Sequence, residues 1–298
     1  MPEYPDITVY IERLDELLKD RVLERIRLVS PFFLRSALPP ISLVEGLAVR
    51  HFRRMGKRIV FSLADDYHLI LHLMIAGRLY WKKNGAPVPR KNGLAAFDFP
   101  NGSLLVMEHS SKKRASLHLV RGEASLEEFN PGGLEIFGAS LEEFRERLCS
   151  ENHTLKRALT DPRLFSGIGN AYSDEILHRA RLSPLEMTHK MDDERTVRLF
   201  DAAQSVLEEW TARLREEAGS GFPERVTAFR GEMAVHGRYR KPCPVCGTEI
   251  QRIQYAENET DYCPRCQTGG KLLADRVLSQ LLKKDWPRTI DELESKRK

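Results

Sequence analysis

Four cysteines fall in one short window near the C-terminus with the spacing Cys-x2-Cys-x16-Cys-x2-Cys: Cys243, Cys246, Cys263 and Cys266. Disulfide frameworks are typical of small secreted domains, and neither the length of 298 residues nor the N-terminal sequence fits that class. Two Cys-x2-Cys turns can supply four thiolates to one tetrahedral Zn²⁺. The spacing therefore predicts one structural zinc ion, and two redox-active cysteine pairs are the alternative. Cys149 stands apart and is predicted to be a buried packing residue.

Composition leaves the partner open, but the charge distribution is informative. The chain carries 47 lysine and arginine residues against 43 acidic ones, a formal net charge of only +4. The segment Arg50–Arg58, however, contains five basic residues and no acidic one, so clustering permits a nucleic-acid partner that net charge would not suggest. A hydrophobic fraction of 41% excludes a wholly disordered chain. The absence of a run of about 18 apolar residues predicts no membrane helix, and we expect a cytoplasmic protein.

Periodicity predicts a β-sandwich of about 130 residues with one leading helix. The helix is expected over residues 6–19, with Asp6 as its N-cap beside Pro5. Seven short strands are predicted after it, separated by Gly, Pro, Asn and Asp turns. Their ranges are 22–29, 58–63, 68–72, 78–81, 96–99, 103–107 and 115–120.

Helical patterns dominate after the turn at Asn130–Gly133. Helices are predicted over 141–149, 153–159, 193–218 and 271–284, and another is predicted to open in the segment 166–170 and to run to about residue 180. The expected fold class is multidomain α+β. The predicted domains are residues 1–130, 131–236, the cysteine module 237–268 and a helical extension 269–298.

Pro2 and Glu3 form the first candidate for chemistry. Removal of Met1 before a small residue would expose a secondary amine whose pKa lies near 8, so that a useful fraction is neutral at pH 7. Such an amine can attack an electrophilic carbon and form an iminium, and the neighbouring Glu3 carboxyl can transfer a proton. The alternative is an ordinary frayed terminus.

Two further segments could contact a phosphate. Lys57 follows glycine at the end of the basic segment and can reach a phosphate oxygen, unless it belongs to a solvated basic face. Gly167 and Gly169 allow backbone to approach a partner closely at the start of a helix, where free N–H groups can bind phosphate, although many helix turns contain such a pair. The zinc module, flanked by basic residues, could be purely structural.

Five motifs in this order resemble the formamidopyrimidine-DNA glycosylase and endonuclease VIII (Fpg/Nei) family over residues 1 to about 268. They are Met1–Asp6, Met55–Lys57, Leu159–Asp161 continuing into Gly167–Glu175, Val235–Arg238 and the four cysteines. The resemblance implies an N-terminal β-sandwich, a helix–two-turn–helix domain and a C-terminal zinc finger. The implied partner is double-stranded DNA containing damaged bases or abasic sites, bound by a monomer.

The resemblance also implies roles for the residues singled out above. Pro2 would attack C1′ of a flipped nucleotide, Glu3 would transfer protons at the sugar, and the resulting Schiff base would allow β- and δ-elimination. Lys57, Lys156 and Asn170 would bind phosphates. Arg54 in the basic segment, and Lys112, Lys113 and Arg114 further on, would face the DNA. Asp6 stands where the family often has Glu.

Two departures from the family pattern affect DNA recognition. The family's oxidised-purine enzymes fill the void left by the flipped base with Met, Arg and Phe. Ile75 stands at the Met position here, with Met74 expected on the opposite face of a strand, and Lys112–Arg114 has no aromatic residue. In the zinc finger, Asn258 replaces the phosphate-binding Arg, and Arg252 or Arg265 could compensate.

The resulting interpretation is a DNA glycosylase with abasic-site (AP) lyase activity. Oxidised or ring-opened purines are the first expected substrates, and oxidised pyrimidines the second. The alternatives are a DNA-binding repair accessory protein that has lost lesion recognition, and a lyase that acts only on abasic sites.

Overall fold

The computed structural model describes residues 1–224, 226–227, 229–255, 258–274, 281 and 287–296. These residues form two compact units. The N-terminal unit comprises residues 1–131 and 209–227, and the C-terminal unit comprises 132–208 and 228–298. The predicted division into four domains stays a prediction.

Two four-stranded antiparallel sheets make up most of the N-terminal unit, in the orders β1-β6-β7-β5 and β2-β3-β4-β8. The strands are β1 (Arg25–Leu28), β2 (Val49–Met55), β3 (Arg58–Leu63), β4 (Tyr67–His72), β5 (Gly77–Lys82), β6 (Gly93–Phe99), β7 (Gly102–Glu108) and β8 (Ser116–Arg121). Two helices accompany them, α1 (Tyr4–Leu18) and α2 (Glu123–Glu127). Apolar side chains of both sheets and of α1 share one buried core, so the predicted sandwich with a leading helix is confirmed.

The first helix starts earlier than predicted. Glu3, not Asp6, is the N-cap of α1. Asp6 lies at the third helical position, where its side chain accepts a hydrogen bond from the Glu3 backbone N–H at 3.0 Å, while the Glu3 side chain accepts from the Asp6 N–H. This reciprocal capping box satisfies two N–H groups that a helix start leaves unpaired.

The basic segment is a strand that periodicity did not reveal. In β2 the buried side chains are Val49, Phe52 and Met55, three residues apart instead of two. A register shift between Val49 and His51 breaks the alternation that identifies strands. The strand predicted over residues 22–29 is shorter in the structure, because only Arg25–Leu28 pairs with β6.

Helices and one hairpin make up the described part of the C-terminal unit. They are α3 (Leu141–Cys149), α4 (Leu155–Thr160), α5 (Asn170–Arg179), α6 (Asp193–Ala218, which continues into the N-terminal unit), β9 (Gln251–Tyr255), β10 (Asn258–Tyr262), α7 (Pro264–Thr268) and α8 (Ile290–Ser295). Most of the helix predicted over 271–284 lies outside the described residues. The α+β class is as predicted.

Phe61 offers a test of the sandwich core. Its ring is fully buried on β3 and lies 4.7 Å from the Phe52 ring centroid and 5.6 Å from that of Phe97. We expect Phe61→Ala to lower the opening free energy of the β3 and β4 amides by about 3–5 kcal/mol in native-state hydrogen exchange, because it leaves a cavity. Phe32→Ala, at a side chain that is 78% exposed, serves as the control and should change it by less than about 0.5 kcal/mol.

Candidate functional site

The first residues of the chain are held inside the N-terminal unit instead of fraying. Pro2 is buried, and the Glu3 side chain is only 1% exposed. The capping box fixes the Glu3 backbone at the start of α1, and that helix is anchored by buried side chains such as Tyr10, whose hydroxyl accepts a hydrogen bond from the Leu79 N–H at 3.3 Å. The amino-terminal segment is therefore a rigid part of the fold, unlike most chain termini.

Charged groups of both signs surround the amino terminus. Burial lowers the pKa of the Met1 α-amino group, and Arg78 and Lys57 act in the same direction, whereas Glu3 and Asp6 act against it. A lowered pKa increases the fraction of neutral amine near pH 7. With Met1 in place, the Pro2 nitrogen is a tertiary amide and cannot act as a nucleophile.

Lys57 is brought to the same place by the tight turn between β2 and β3. The strands pair up to Met55 and Arg58, so Gly56 and Lys57 form a two-residue turn, and Gly56 has a φ of +59° that few other residues adopt. Burial lowers the pKa of Lys57, and the charge of Glu3 opposes that effect. The predicted catalytic residues Pro2, Glu3 and Lys57 are thus close to one another.

Arg54 lies beside this group on β2. Its guanidinium carbon is 4.4 Å from the centroid of the Tyr4 ring, and it donates a hydrogen bond to the Gly56 carbonyl at 2.8 Å. Both contacts orient the cation at the turn that carries Lys57. No pattern in the sequence indicated the role of Tyr4, because a cation–π pair across two elements has no signature in one segment.

Ile75 is on a turn and not on a strand. Residues 73–76 connect β4 to β5, and Ile75 is 56% exposed. Met74 has a φ of +52°, so the expectation that it points to the opposite face of a strand is wrong. The His109 N–H donates a hydrogen bond to the Ala76 carbonyl at 3.2 Å. This bond connects the turn to the loop that contains Lys112–Arg114.

The loop that contains Lys112, Lys113 and Arg114 is organised by a buried acid. Glu108 is 1% exposed, and its carboxylate accepts hydrogen bonds from the Arg114 N–H at 2.9 and 3.0 Å and from the Ala115 N–H at 3.2 Å. The Lys113 ammonium also donates to the Glu108 carbonyl. The three basic residues remain exposed at the surface, so Glu108 shapes a loop whose cations can reach an anionic partner.

In the C-terminal unit, Asn170 is the first residue of α5, and Lys156 on α4 faces it. The Lys156 ammonium donates to the Asn170 carbonyl at 2.7 Å and pairs with the Asp174 carboxylate at 2.5 Å. Its side chain is 12% exposed. Lys156 therefore joins two helices through a nearly buried ion pair, a contact that the sequence analysis did not predict.

Asp174 and Glu175 connect α5 to the segment before the cysteines. Asp174 accepts a hydrogen bond from His236 Nδ1 at 2.8 Å. Glu175 accepts backbone N–H bonds from residues 234, 235 and 236 at 2.7–2.9 Å. Burial raises the pKa of Glu175, and these three bonds oppose the rise. The sequence analysis assigned no role to either carboxylate, because the groups that each one contacts lie far away in the sequence.

Asp261 extends the same network into the hairpin of β9 and β10. Its carboxylate accepts from the Gly237 N–H at 2.7 Å and from Arg252 at 2.7 and 3.0 Å. The carboxylates of Asp174 and Asp261 and the ring of His236 lie within 4.8 Å of one another, a grouping that could suggest a metal site. Lysine, arginine and N–H donors already occupy their oxygens, so the group is a buried ion-pair network.

The four-cysteine cluster fits zinc. A tetrahedral site with Zn–S bonds of about 2.3 Å requires sulfurs about 3.8 Å apart. Cys246 and Cys263 sulfurs are 3.4 Å apart, those of Cys243 and Cys266 are 3.9 Å apart, and all four atoms lie within 4.8 Å of one another. Four sulfur donors in this geometry suit a closed, structural Zn²⁺ site.

His178 is an outer partner of this site that the sequence analysis missed. Its Nε2 lies 3.3 Å from the Cys243 sulfur. Burial, reinforced by Arg179 and Arg181, lowers the pKa of His178 to about 4, so the ring is neutral at pH 7. A neutral imidazole that donates to a ligand sulfur orients that ligand, as outer hydrogen bonds do in many metal sites.

The cations proposed to replace the missing arginine are already engaged. Asn258 begins β10, and its side chain lies outside the described part of the chain. Arg252 pairs with Asp261 and with Glu259, the latter at 2.7 Å. Arg265 donates to Thr248 at 3.2 Å and pairs with an acid of α8 at 3.1 Å. Cys149, predicted to be buried, is intermediate in exposure.

None of the helices in the described ranges is long and apolar enough to cross a membrane.

Family models match three segments of the chain. The formamidopyrimidine-DNA glycosylase N-terminal domain matches residues 1–113, the formamidopyrimidine-DNA glycosylase H2TH domain matches 137–217, and the zinc finger found in FPG and IleRS matches 240–269. The last match lies over the four-cysteine cluster. Together with its geometry, it confirms the prediction of one structural zinc ion.

Curated relatives and solved structures agree with these matches. The formamidopyrimidine-DNA glycosylase of Heliobacterium modesticaldum is 32% identical over 285 residues, which cover 90% of this chain and 100% of that protein. An uncharacterized formamidopyrimidine-DNA glycosylase-like protein of Mycobacterium tuberculosis is 38% identical over 151 residues, 51% of this chain and 94% of that protein.

Two solved complexes are similar in structure. MutM in complex with carbocyclic 8-oxo-G containing DNA has a TM-score of 0.80 at 25% identity, over 90% of this chain and 100% of that one. The Lactococcus lactis Fpg in complex with abasic site containing DNA has a TM-score of 0.80 at 24% identity, over 89% and 99% of the two chains, which is a likeness of fold.

Zinc binding can be tested with the isolated fifth cysteine as a matched control. Cys266→Ala removes one of the four thiolate ligands, and we expect the zinc content, measured by inductively coupled plasma mass spectrometry, to fall from one ion per chain to near zero. Cys149→Ala should retain one ion, since the Cys149 sulfur lies near the Thr188 carbonyl, at 3.8 Å, and outside the cluster. Equal zinc contents in the two variants would contradict the assignment.

The burial of Lys57 predicts a pH-dependent effect on stability. Because its pKa in the folded state is lowered, the folded protein binds this proton more weakly than the unfolded chain does. Below the ordinary pKa the unfolded chain keeps this charge in water, whereas the folded protein must bury the charge or release the proton, and either disfavours folding. We therefore expect Lys57→Met to raise the free energy of unfolding at pH 7, measured by urea titration with tryptophan fluorescence.

The advantage of Lys57→Met should shrink as the pH rises through the folded-state pKa of Lys57 towards its ordinary value of 10.5. Lys83→Met, at an exposed loop lysine, should stay near the wild-type stability throughout this range. If the free energy of unfolding of Lys57→Met differed from that of the wild type by the same amount at every pH, the buried charge of Lys57 would not be the cause.

Proposed function

The chain belongs to the formamidopyrimidine-DNA glycosylase family of DNA repair glycosylases, and we propose that it excises oxidised or ring-opened bases and cleaves the strand as an AP lyase. The observation that carries this proposal is the convergence of Pro2, Glu3 and Lys57 at the start of α1. A nucleophile, a proton-transfer group and a cation are the three parts that such a reaction requires.

Pro2 is the proposed nucleophile once Met1 has been removed. Its secondary amine attacks C1′ of the damaged nucleotide, the glycosidic bond breaks, and the base leaves with a proton. Opening of the sugar places a proton from Glu3 on O4′ and leaves a C1′ iminium. The surrounding burial, which lowers the pKa of the terminal amine in the chain with Met1, supports a neutral attacking group.

Strand cleavage follows from the iminium. The positive nitrogen acidifies the C2′ proton, so that proton loss expels the 3′ phosphate by β-elimination. A second elimination then releases the 5′ phosphate, and water returns the amine. Lys57 supplies a cation for a phosphate beside the lesion, and its poorly solvated position strengthens such a contact.

Double-stranded DNA with damaged bases or abasic sites is the proposed partner of the monomer. Asn170 and the backbone at the start of α5 are proposed to hold a backbone phosphate, with Lys156 fixing the carbonyl of Asn170. Arg54 and the exposed Lys112–Arg114 add cations. The bacterial relatives favour action on the chromosome in the cytoplasm.

Base recognition depends on the exposed Ile75 turn. Its apolar side chain is proposed to fill the space left by the flipped nucleotide, without an aromatic partner from Lys112–Arg114. Oxidised and ring-opened purines are the first proposed substrates, because similar solved complexes contain carbocyclic 8-oxo-G or Fapy-dG in their DNA, and oxidised pyrimidines are the second.

Borohydride trapping tests the proline mechanism. With duplex DNA containing one abasic site, we expect the wild type to form a covalent adduct, and Pro2→Gly to reduce its yield by at least tenfold, since a primary amine at a more flexible residue replaces the rigid secondary one. Adduct formation is measured by denaturing gel electrophoresis. Lys241→Gly, at an exposed lysine of the C-terminal unit, should trap DNA as the wild type does.

The same assay separates the alternatives. An adduct undiminished in Pro2→Gly would refute the proposed nucleophile. A protein that binds DNA without trapping it is an accessory factor, and one that traps abasic DNA but releases no base from a panel of oxidised duplexes is an AP lyase only.

A further inference from the structure

A surface pocket of about 720 Å³ lies in the N-terminal unit, and none of its lining residues has a part in the proposed chemistry. Its lining includes Tyr80, Lys82, Lys83, Leu105, His109 and Glu224. They lie on the outward face of β5 and β7, on the loop between β5 and β6, and on a segment that follows α6. We call this surface the β5 face.

The alternation of β5 produces this surface. Leu79 and Trp81 pack into the sandwich core, so Arg78, Tyr80 and Lys82 point outward. Leu105 is paired with Tyr80 across the ladder and supplies an apolar floor. The face thus carries, in order along one strand, a cation, an aromatic ring and a second cation.

Tyr80 is oriented by a chain of hydrogen bonds. The Asn92 side-chain amide contacts His109 Nδ1 at 3.1 Å, and His109 Nε2 contacts the Tyr80 hydroxyl at 3.1 Å. Since an amide nitrogen can only donate, Nδ1 accepts, and Nε2 carries the ring proton and donates to Tyr80. The two aromatic rings meet edge to face at 6.2 Å, which holds Tyr80 in place at the pocket.

The charge around the pocket favours an anionic ligand. Lys82 pairs with Glu224 at 2.8 Å, and Glu224 is the only acidic side chain among the lining residues. Lys83, Arg90 and Lys91 lie exposed on the loop that forms one wall. Cations beside an aromatic ring and an apolar floor are the combination that binds a nucleotide by its phosphate and its base together.

The ring of Tyr80 favours an unpaired strand over a duplex. Within a duplex each base is paired and stacked between its neighbours, so neither of its faces is open to an aromatic side chain. A base of a single strand can stack on a ring at the protein surface, and such stacking tolerates any sequence. Arg78 also lies near the amino terminus, because its charge acts on that group.

We propose that the β5 face binds a single-stranded segment of DNA, with one unpaired base stacked on Tyr80 and its phosphates beside Lys82 and Lys83. This assignment rests on the proposed function for the nature of the polymer, but it does not involve Pro2, Glu3 or Lys57. The enzyme would consequently hold substrates in which the lesion adjoins unpaired nucleotides, such as bubbles and single-strand flanks, more tightly than fully paired duplexes.

Fluorescence anisotropy with a lesion-free oligothymidylate of about ten nucleotides tests this site. In the full-length, zinc-loaded protein we expect Tyr80→Ala to weaken binding by roughly five- to a hundredfold, the loss caused by removing a stacking platform. Tyr80→Phe, which keeps the ring, should bind within about threefold of the wild type. Trapping on a fully paired abasic duplex should change less than twofold in both variants.

Tyr67 provides the matched control. It is a half-buried tyrosine on β4 in the other sheet, and the Arg121 guanidinium carbon lies 5.2 Å from its ring centroid. Tyr67→Ala should leave oligothymidylate binding unchanged. Undiminished binding in Tyr80→Ala, an equal loss in Tyr67→Ala, or an equal loss in Tyr80→Phe would overturn the proposal. Because the oligomer contains no lesion, absence of trapping by the wild type would overturn only the proposed function.

Discussion

The reciprocal hydrogen bonds between Glu3 and Asp6 are the constraint on which the N-terminal site depends. They cap α1 at the third residue of the chain and anchor a segment that is poorly ordered in most proteins. A terminal amine can act as a nucleophile only if its position is defined to a fraction of an ångström. The capping box fixes the position of the first residues relative to α1. The buried face of α1 in turn packs against the sandwich core, which holds the helix in place.

A second set of buried carboxylates holds neighbouring segments in place in the C-terminal unit. Asp174 and Glu175, adjacent on α5, hold Lys156 on one side and the segment before the cysteines on the other. His178, one turn further along the same helix, contacts a sulfur of the zinc cluster. A single helix therefore links the phosphate-binding candidate Asn170 at its start with the metal cluster. Buried ion pairs of this kind fix geometry more than they add stability.

The sequence predicted the elements that have a regular apolar pattern. The bounds of β3, α3 and α6 match the predicted ones, because α3 and α6 have apolar residues at helical spacing and β3 is a short apolar run that ends before a turn. The strand β2 was missed because its register shift breaks the alternation, and the Met74 turn because a left-handed residue other than glycine leaves no signature. Local patterns record local geometry, and these two features depend on pairing with distant strands.

In the candidate site too, features set by one short segment could be predicted, and contacts between distant segments could not. The four cysteines could be assigned to zinc because their spacing alone brings the sulfurs together. The ion pairs of Lys156 and Arg252 could not be predicted from sequence, since the carboxylates that engage them lie 18 and 9 residues away. A cation held in a buried pair cannot also neutralise a phosphate at full strength without leaving a carboxylate unpaired.

This constraint changes the meaning of the nearly balanced charge. Cations that pair with buried acids serve the fold, whereas Lys112–Arg114 and the basic residues on the loop after β5 lie exposed at the surface. Electrostatic attraction to DNA is set by such local clusters and is largely screened beyond about 10 Å at 0.1 M salt. The net charge of the whole chain is therefore a poor guide to its partner, and the placement of a few exposed cations around rigid turns is the relevant quantity.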